Sequence, residues 1–224
     1  MLHYRLHRDP RSSHQQIVRA VRRSGRGPIL DVGAAQGMLG QQLREAGEQF
    51  AIDGVEPNPS WAELARPFYR QVFACGIAEA NLPDGTYSVV VCADVLEHLP
   101  DPVATLGQLR RAATADATFI VSVPNVAHLA VRLLLLLGRF PRMERGILDR
   151  THLQFFTRDT AVALLAEAGL EVVRVRATSI PLDELWPRGE GTKLYGGLTR
   201  LQHLVLAVAP RLFGFQWVLV ARVG

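Results

Sequence analysis

Short apolar runs alternate with amphipathic segments along most of the chain, and this alternation constrains the fold more than any other feature. Runs such as YSVVVCA at 87–93 and TFIVSVP at 118–124 are apolar on nearly consecutive residues, as is typical of parallel strands buried on both faces. The intervening segments place apolar residues on one helical face, for example Trp61, Leu64 and Phe68. Seven strand-like runs therefore predict an α/β fold with a doubly wound sheet, whose ligands bind at the carboxyl ends of the strands.

Three parts of the chain depart from this alternation. Residues 1–26 carry seven Arg and one Asp, so they hold more than the whole net charge of +4. We predict that they form a basic N-terminal arm and lid helix, and that residues 27–224 form the main domain. The stretches 124–156 and 179–213 fit neither strands nor regular crossover helices, and we expect them to form a small helical cap over the substrate. Because the excess charge is confined to the arm, a nucleic-acid-binding face is disfavoured.

The longest apolar run, LLLLL at 133–137, follows Arg132. It is far shorter than the ~20 residues of a membrane span. A helix over 129–138 would be apolar nearly all round, which favours a pocket wall or lid, with peripheral membrane contact as the alternative. The Arg-rich start is not followed by an apolar signal segment, so we expect a cytoplasmic protein. The oligomeric state is not indicated by the sequence.

The turn after the first strand, DVGAAQG at 31–37, combines a small-residue loop with a carboxylate. Such loops at helix N-termini commonly bind phosphate. A dinucleotide fingerprint needs G-x-G-x-x-G, but after Gly33 this chain places Ala35 and Met38 at the other two glycine positions. The Gly-Lys-Ser/Thr of a Walker loop is also missing. Since Asp31 would repel a pyrophosphate, the expected ligand carries positive charge and no phosphate.

S-adenosylmethionine meets these requirements, because it carries an α-ammonium group and a sulfonium. We predict that Asp31 binds the ammonium group or organises water around it. The small loop lets the backbone approach the methionine portion, and the helix N-terminus can face its carboxylate. The predicted cofactor-binding residues of the loop are Gly33, Ala34, Ala35 and Gly37.

A second carboxylate, Glu56, ends the second strand in GVEP, next to Pro57. We predict that Glu56 accepts hydrogen bonds from both ribose hydroxyls and that Pro57 borders the same site. NAD-binding proteins use the same device, so Glu56 does not discriminate between the two cofactors. Asp31 does so through its charge.

The motifs LDVGAAQG, GVEPNP, LPDGTYSVVVCADVLEHLPDP and VPNVAHLAVRLLLLLGRF…GILDRTHLQFFT resemble class I S-adenosylmethionine-dependent methyltransferases. The similar subgroup contains ubiquinone-biosynthesis O-methyltransferases and bacterial small-molecule and polysaccharide-associated enzymes. The resemblance covers about residues 14–178. It implies a Rossmann-like, seven-stranded, mostly parallel sheet with strand seven antiparallel. It also implies S-adenosylmethionine over the carboxyl ends of strands one to four, and methyl transfer by direct in-line displacement.

The chain departs from this family pattern in three places. Strand four opens with Tyr87-Ser88, where the family frequently has Phe-Asp. Gly76 replaces an acidic residue that contacts the adenine amino group in many members, so adenine recognition is expected from the backbone near Ile77 and Ala78, or from Glu79. Ala35 replaces the usual second glycine of the loop, which is tolerable where its φ is negative.

Methyl transfer to oxygen needs an aligned acceptor and commonly a base that takes its proton. His98, just past the fourth strand, and His152, in the cap, are the predicted candidates for that base. Asp94 and Val95 are predicted to contact the cofactor. In ubiquinone-type relatives the positions of Asp94, Glu97 and His98 are assigned to Mg²⁺, but the same residues bind cofactor or cap helices in metal-free relatives. We predict no metal.

The sequence therefore predicts an S-adenosylmethionine-dependent methyltransferase acting on a small-molecule acceptor, by O-methylation of a sugar, polyketide or lipid-linked intermediate. Two alternatives stay open at this point. One is a non-catalytic S-adenosylmethionine-binding module in an assembly. The other is a nucleic-acid methyltransferase, which is disfavoured because ADVLEH at 93–98 stands where such enzymes carry Asn/Asp-Pro-Pro-Tyr.

Overall fold

The computed structural model describes residues 9–25 and 27–224 of the chain, and a seven-stranded sheet forms its centre. The strands are β1 (Ile29–Val32), β2 (Ile52–Val55), β3 (Gln71–Phe73), β4 (Tyr87–Ala93), β5 (Ala113–Pro124), β6 (Leu170–Ala177) and β7 (Gln216–Val223). Their order is β3-β2-β1-β4-β5-β7-β6. Strands β1 to β5 pair in parallel, and β7 runs antiparallel to both β5 and β6. The predicted doubly wound sheet with an antiparallel seventh strand is confirmed.

Helices fill the connections between the strands. They are α1 (Ser13–Arg23), α2 (Met38–Glu45), α3 (Pro59–Ala65), α4 (Pro102–Ala112), α5 (Leu129–Leu136), α6 (Arg158–Glu167), α7 (Leu182–Leu185), α8 (Lys193–Val208) and α9 (Pro210–Phe213). Local sequence sets several of their ends. For example, the Thr157 side chain caps α6, and Gly169, with φ of +74°, follows its last turn.

Two apolar layers cover the sheet. Val89 and Val91 of β4 pack with Ile17 and Val21 of α1 on one side, whereas Val90, between them, packs in the cluster that includes α4 and α6. This alternation explains why β4 reads as continuously apolar, since successive side chains point to opposite faces and both faces are buried. The sheet is thereby a rigid platform for the loops at its edge.

The insertions predicted as a cap emerge at the carboxyl edge of the parallel strands. Strand β5 ends there at Pro124, paired with Gln216 at the start of β7, and β6 also ends beside the start of β7. The segments 124–156 and 179–213 therefore both project from the edge where ligands bind in this architecture.

The division of the chain at residue 26 and the lid role of the arm stay predictions. Residues 1–8 lie outside the described part. Helix α1 packs against the sheet, and the carbonyl of Arg11, just before it, accepts a hydrogen bond from the Ser179 amide. Within residues 9–25 and 27–224, no helix combines the length and the apolar character needed to cross a bilayer.

Candidate active site

The candidate site lies where β1, β2 and β4 end side by side. The parallel register places Val32 beside both Val55 and Cys92. The residues that follow therefore leave the sheet at one level, which brings the loop beginning at Gly33 next to Glu56 and to the turn after β4. The order of strands reverses between β1 and β4, and such a switch point opens a crevice for ligands.

Glu56 is buried and connects the loop to the start of α3. One carboxylate oxygen accepts a hydrogen bond from the amide of Ala35 at 2.8 Å, and the other accepts one from the amide of Asn58 at 2.9 Å. Each carboxylate oxygen has a second lone pair, so Glu56 keeps acceptor capacity for a ligand hydroxyl. Pro57 follows it and is exposed. Their ribose-binding roles stay predictions.

The loop glycines are required by close contacts as well as by backbone conformation. Gly33 has φ of +75°, and a Cβ there would lie 2.6 Å from Cγ2 of Val95. Gly37 has φ of +87°, and its Cβ would lie 2.9 Å from Cα of Ala65. Val95 therefore faces the loop, as expected for two elements that border one site. Ala34 is buried beneath it.

The condition under which alanine is a tolerable replacement for the second loop glycine, a negative φ at Ala35, is not met. Its φ is +47°, in the left-handed region that favours glycine. The hydrogen bond from its amide to Glu56 holds this strained conformation in place.

We expect Ala35→Gly to stabilise the protein by about 1 kcal/mol, because it relieves the left-handed strain and keeps the amide that bonds to Glu56. Urea unfolding measures the change. Ala34→Gly is the matched control, since Ala34 does not share the positive φ and should lose about 0.5–1 kcal/mol. Equal destabilisation in both variants would contradict the assignment of strain to Ala35.

Asp31 is the most perturbed acid of the loop region. It is 4% exposed and accepts a hydrogen bond of 2.5 Å from the hydroxyl of Tyr69. The pKa of Asp31 is raised to about 7, because burial and, to a smaller extent, the negative charge of Glu56 raise it more than the Tyr69 hydrogen bond lowers it. A cation beside Asp31 would favour its charged form. Sequence reasoning missed Tyr69, whose place at the end of an amphipathic helical segment indicated only packing.

Asp94 turns the chain at the end of β4 in a left-handed conformation, with φ of +54°. Its two carboxylate oxygens accept hydrogen bonds of 2.8 Å from the Ser122 hydroxyl and from the Gln216 side-chain amide. Burial raises the pKa of Asp94, and these two bonds oppose the shift. Neither Ser122 nor Gln216 was predicted, since an isolated polar residue in an apolar strand gives no signal of its partner.

The segment predicted to contact adenine is a 3₁₀ turn, Ile77–Glu79. The side chain of Ile77 is buried in the core, and its carbonyl accepts a hydrogen bond from the Gln108 side chain at 2.9 Å. Ala78 and Glu79 are exposed. The adenine-binding role of Ile77 and Ala78 stays a prediction.

The two predicted base candidates, 54 positions apart in the sequence, lie together. The rings of His98 and His152 have centroids 4.9 Å apart and meet edge to face. His152 Nδ1 lies 3.1 Å from the carbonyl of Ile147, which can only accept, so this nitrogen carries the proton. Burial lowers the pKa of His152.

His98 has the same tautomer. Its Nδ1 lies 3.2 Å from the hydroxyl oxygen of Thr151 and 3.4 Å from the Thr151 carbonyl. That hydroxyl donates its own proton to Asp149, so both Thr151 oxygens accept from His98. The Nε2 atoms of both histidines therefore carry lone pairs.

Glu97 lies between these rings and the core, and sequence reasoning gave it no catalytic or cofactor-binding role. It is 1% exposed, and neither carboxylate oxygen has a hydrogen-bond partner among the described residues. Burial raises its pKa well above the usual value, and the negative charge of Asp94 adds to the shift. Ligand atoms of Glu97, His98 and His152 lie within 4.8 Å of one another, a spacing that could hold a divalent cation. The expectation of a metal-free site stays a prediction.

Comparison with known proteins relates this site to a family. Residues 2–175 match the family described as a methyltransferase domain. A malonyl-[acyl-carrier protein] O-methyltransferase of Geobacter sulfurreducens is 30% identical over 152 residues, which cover 66% of this chain and 57% of that protein. A ubiquinone biosynthesis O-methyltransferase of Methylococcus capsulatus is 32% identical over 103 residues, 43% of each chain. The chain thus spans about half the length of these relatives.

Solved structures agree with the fold. An S-adenosylmethionine-dependent methyltransferase from Thermotoga maritima superposes with a TM-score of 0.64 and 17% sequence identity. The superposition covers 96% of this chain and 91% of that one. Because the superposition covers nearly the whole of both chains, the overall fold is shared.

Proposed function

The chain belongs to the methyltransferase domain family, and on that basis we propose that it is an S-adenosylmethionine-dependent methyltransferase. Its acceptor is a small molecule, and the reaction is O-methylation of a sugar, polyketide or lipid-linked intermediate. The observation that carries this proposal is the pair of buried carboxylates, Asp31 and Glu56, beside a small-residue loop at the switch point. The two curated relatives, both named O-methyltransferases, support the reaction type.

The residues of the site fit the cofactor. Asp31, with a pKa of about 7, is a buried acid whose charged form a cationic ligand stabilises, so it holds the α-ammonium group directly or through water. Glu56 has acceptor capacity left for the two ribose hydroxyls. The loop from Gly33 to Gly37 contains two glycines and two alanines, whose small side chains let its backbone approach the methionine portion. Bound S-adenosylmethionine supplies a methyl group activated by its sulfonium.

A nicotinamide dinucleotide fits less well. It would bring a pyrophosphate against the loop that follows Asp31, and the like charges would repel each other. Competition binding tests this selectivity directly, because NAD should not displace S-adenosylmethionine from the wild-type protein.

The paired histidines supply the base. The Nε2 lone pair of His98 or His152 takes the proton from the acceptor hydroxyl as the oxygen attacks the methyl group. The backbone carbonyl of Glu97 accepts hydrogen bonds from the amides of Leu153 and Gln154, at 2.7 and 3.0 Å. This contact fixes the cap segment that carries His152 onto the turn that carries His98, so their relative position is set before the acceptor binds.

The decisive experiment is to incubate the purified protein with S-adenosylmethionine and hydroxylated acceptors, and to measure S-adenosylhomocysteine. Without an acceptor, we expect the protein to convert S-adenosylmethionine slowly to S-adenosylhomocysteine. A sugar, polyketide or lipid-linked acceptor that fits the site should make this conversion faster. Tight cofactor binding without turnover in the presence of every acceptor class would favour a non-catalytic binding module and contradict the proposal.

We expect His98→Ala or His152→Ala to lower turnover by about 10²-fold, because the variant removes the group that accepts the proton. S-adenosylmethionine affinity, measured by calorimetry, should change little, since neither histidine is assigned to the cofactor. The matched control is His128→Asn, which keeps a helix-capping side chain where the His128 ring caps α5. If both alanine variants keep wild-type turnover, proximity and orientation alone carry the reaction.

A further inference from the structure

Exposed apolar side chains concentrate in two segments of the molecule. Sixteen large apolar side chains are exposed within residues 9–25 and 27–224, and thirteen of these lie in 133–143 or 185–208. Both segments belong to the insertions at the carboxyl edge of the sheet. Scattered exposed leucines need no explanation, but a concentration of this kind marks an interaction surface.

Helix α8 presents a continuous apolar stripe to solvent. Spacings of three or four residues place its exposed apolar side chains on one helical face. They are Leu194, Leu198, Leu201, Leu204 and Val208. On another face, Leu206 is buried against the protein. Lys193 and Arg200 flank the stripe on one side, which gives the helix an apolar face with a basic border.

Helix α5 and the turn after it form the second apolar segment. Of the eight residues of α5, only Val131 is buried. Leu136 is 82% exposed and Leu137 is 70% exposed. Arg132 lies on the helix and Arg139 directly follows it. Most leucines of the run 133–137 face solvent. They therefore do not form the wall of a closed pocket, which is the role predicted for this run.

Charge decides which partner fits these segments. Residues 126–143 contain three Arg and no acidic residue, and residues 191–213 contain one Lys, two Arg and no acidic residue. If a second copy of the chain bound through the same surface, the positive charges of the two copies would lie close together and repel each other. An anionic bilayer offers apolar volume for the leucines and negative charge for their basic border.

We propose that residues 133–143 and 194–208 form a docking surface for an anionic phospholipid bilayer. The leucines of α5 and α8 insert into the interfacial region, and the protein lies on the membrane without spanning it. Both insertions emerge at the carboxyl edge of the sheet, the same edge at which His98 follows β4. Membrane docking rests on exposure and charge alone, so it stands whether or not the methyl-transfer proposal holds.

Cosedimentation with phospholipid vesicles tests the docking surface. We expect the full chain to bind vesicles that contain about 30% phosphatidylglycerol in phosphatidylcholine, and to bind pure phosphatidylcholine at least tenfold more weakly. The double variant Leu201→Glu/Leu204→Glu should lose at least tenfold in partitioning to the anionic vesicles. The control is Leu64→Glu, because Leu64 is similarly exposed on α3 but lies outside the docking surface; it should bind like wild type.

A second set of variants separates the charge from the leucines. The triple variant Lys193→Gln/Arg200→Gln/Arg139→Gln leaves every leucine in place and should weaken binding to the anionic vesicles about tenfold or more. Circular dichroism checks that each variant folds. The proposal is overturned if the wild-type protein does not cosediment with anionic vesicles at low salt. A dimer of the wild-type protein, detected by light scattering and lost in Leu201→Glu/Leu204→Glu, would also overturn the proposal. The apolar surface would then bind a second copy of the chain.

Discussion

Replacing Glu56 with alanine is expected to weaken S-adenosylmethionine binding by about 10²-fold or more. Two hydroxyl hydrogen bonds to a carboxylate contribute about 1.5–3 kcal/mol each, and both are lost in the variant. The structure adds a second reason. The same carboxylate accepts hydrogen bonds from the amides of Ala35 and Asn58, so its removal also frees the loop that we propose contacts the methionine portion.

Isothermal calorimetry measures the affinity, and urea unfolding measures the accompanying loss of stability. Two partly buried amides, of Ala35 and Asn58, lose their acceptor in Glu56→Ala, which costs at most about 1–3 kcal/mol each because water can reach them in part. Glu56→Gln keeps one acceptor oxygen but turns an NH₂ group toward one of the two amides, so its affinity should fall between wild type and Glu56→Ala. Glu63→Ala removes an exposed acid of α3 and is the control. Unchanged affinity in a folded Glu56→Ala protein would contradict the ribose assignment.

The sheet was predictable from sequence because its strands carry a strong local signal. Strand β4 is buried on both faces and is therefore apolar on consecutive residues, and Thr157 and Gly169 delimit α6 through local cap chemistry. The antiparallel direction of β7 has no such signal. That direction was predicted from the resemblance to a family, because the residue pattern of a buried strand does not indicate whether the strand is parallel or antiparallel to its neighbours.

The carboxylates of the site were predictable for a similar reason. Asp31 and Glu56 stand at the ends of apolar runs, and the ends of parallel strands meet at one edge. The hydrogen-bond partners of Asp31 and Asp94 were not predictable, because Tyr69 and Gln216 come from distant elements and carry no local pattern. The left-handed conformation of Ala35 was also missed, since alanine gives no indication that φ is positive.

The meeting of His98 with His152 depends on how a cap segment folds back. That segment is fixed by main-chain hydrogen bonds from Leu153 and Gln154 to the carbonyl of Glu97, and main-chain contacts leave no trace in side-chain identity. The same fold-back buries the Glu97 carboxyl without a partner among the described residues. A sequence motif could place each residue near the site but could not bring the three together.

Asp31→Asn is expected to change stability and cofactor binding in opposite directions. The asparagine keeps the shape and can still accept from the Tyr69 hydroxyl, but it carries no charge. Cofactor affinity should fall by about 10²-fold at pH 8, because the attraction to the ammonium group is lost. The protein without cofactor should become more stable at the same pH, since a buried charge is removed.

The sign of the stability change follows from the pKa. Burial raises the pKa of Asp31 from 3.8 to about 7. The stability that the protonated carboxyl contributes is therefore fully present below pH 4 and is lost as the pH rises through about 7. The shift corresponds to a loss of up to about 4 kcal/mol by pH 8, which Asp31→Asn avoids because its amide does not titrate. Urea unfolding at pH 4, 5 and 8 should show the smallest difference between the two proteins at pH 4, part of the difference at pH 5 and all of it at pH 8.

Cofactor binding has the mirror-image dependence on pH. In the proposed assignment the ammonium group binds the charged carboxylate of Asp31. Wild-type affinity should therefore rise about tenfold between pH 6 and pH 8, whereas the affinity of Asp31→Asn should stay constant over that range. Tyr69→Phe removes the hydrogen bond that lowers the pKa of Asp31, so it should move the rise in affinity to higher pH without abolishing it. A wild-type affinity that is independent of pH would show that Asp31 does not serve the ammonium group. A Tyr69→Phe profile that coincides with wild type would remove Tyr69 from the control of that charge.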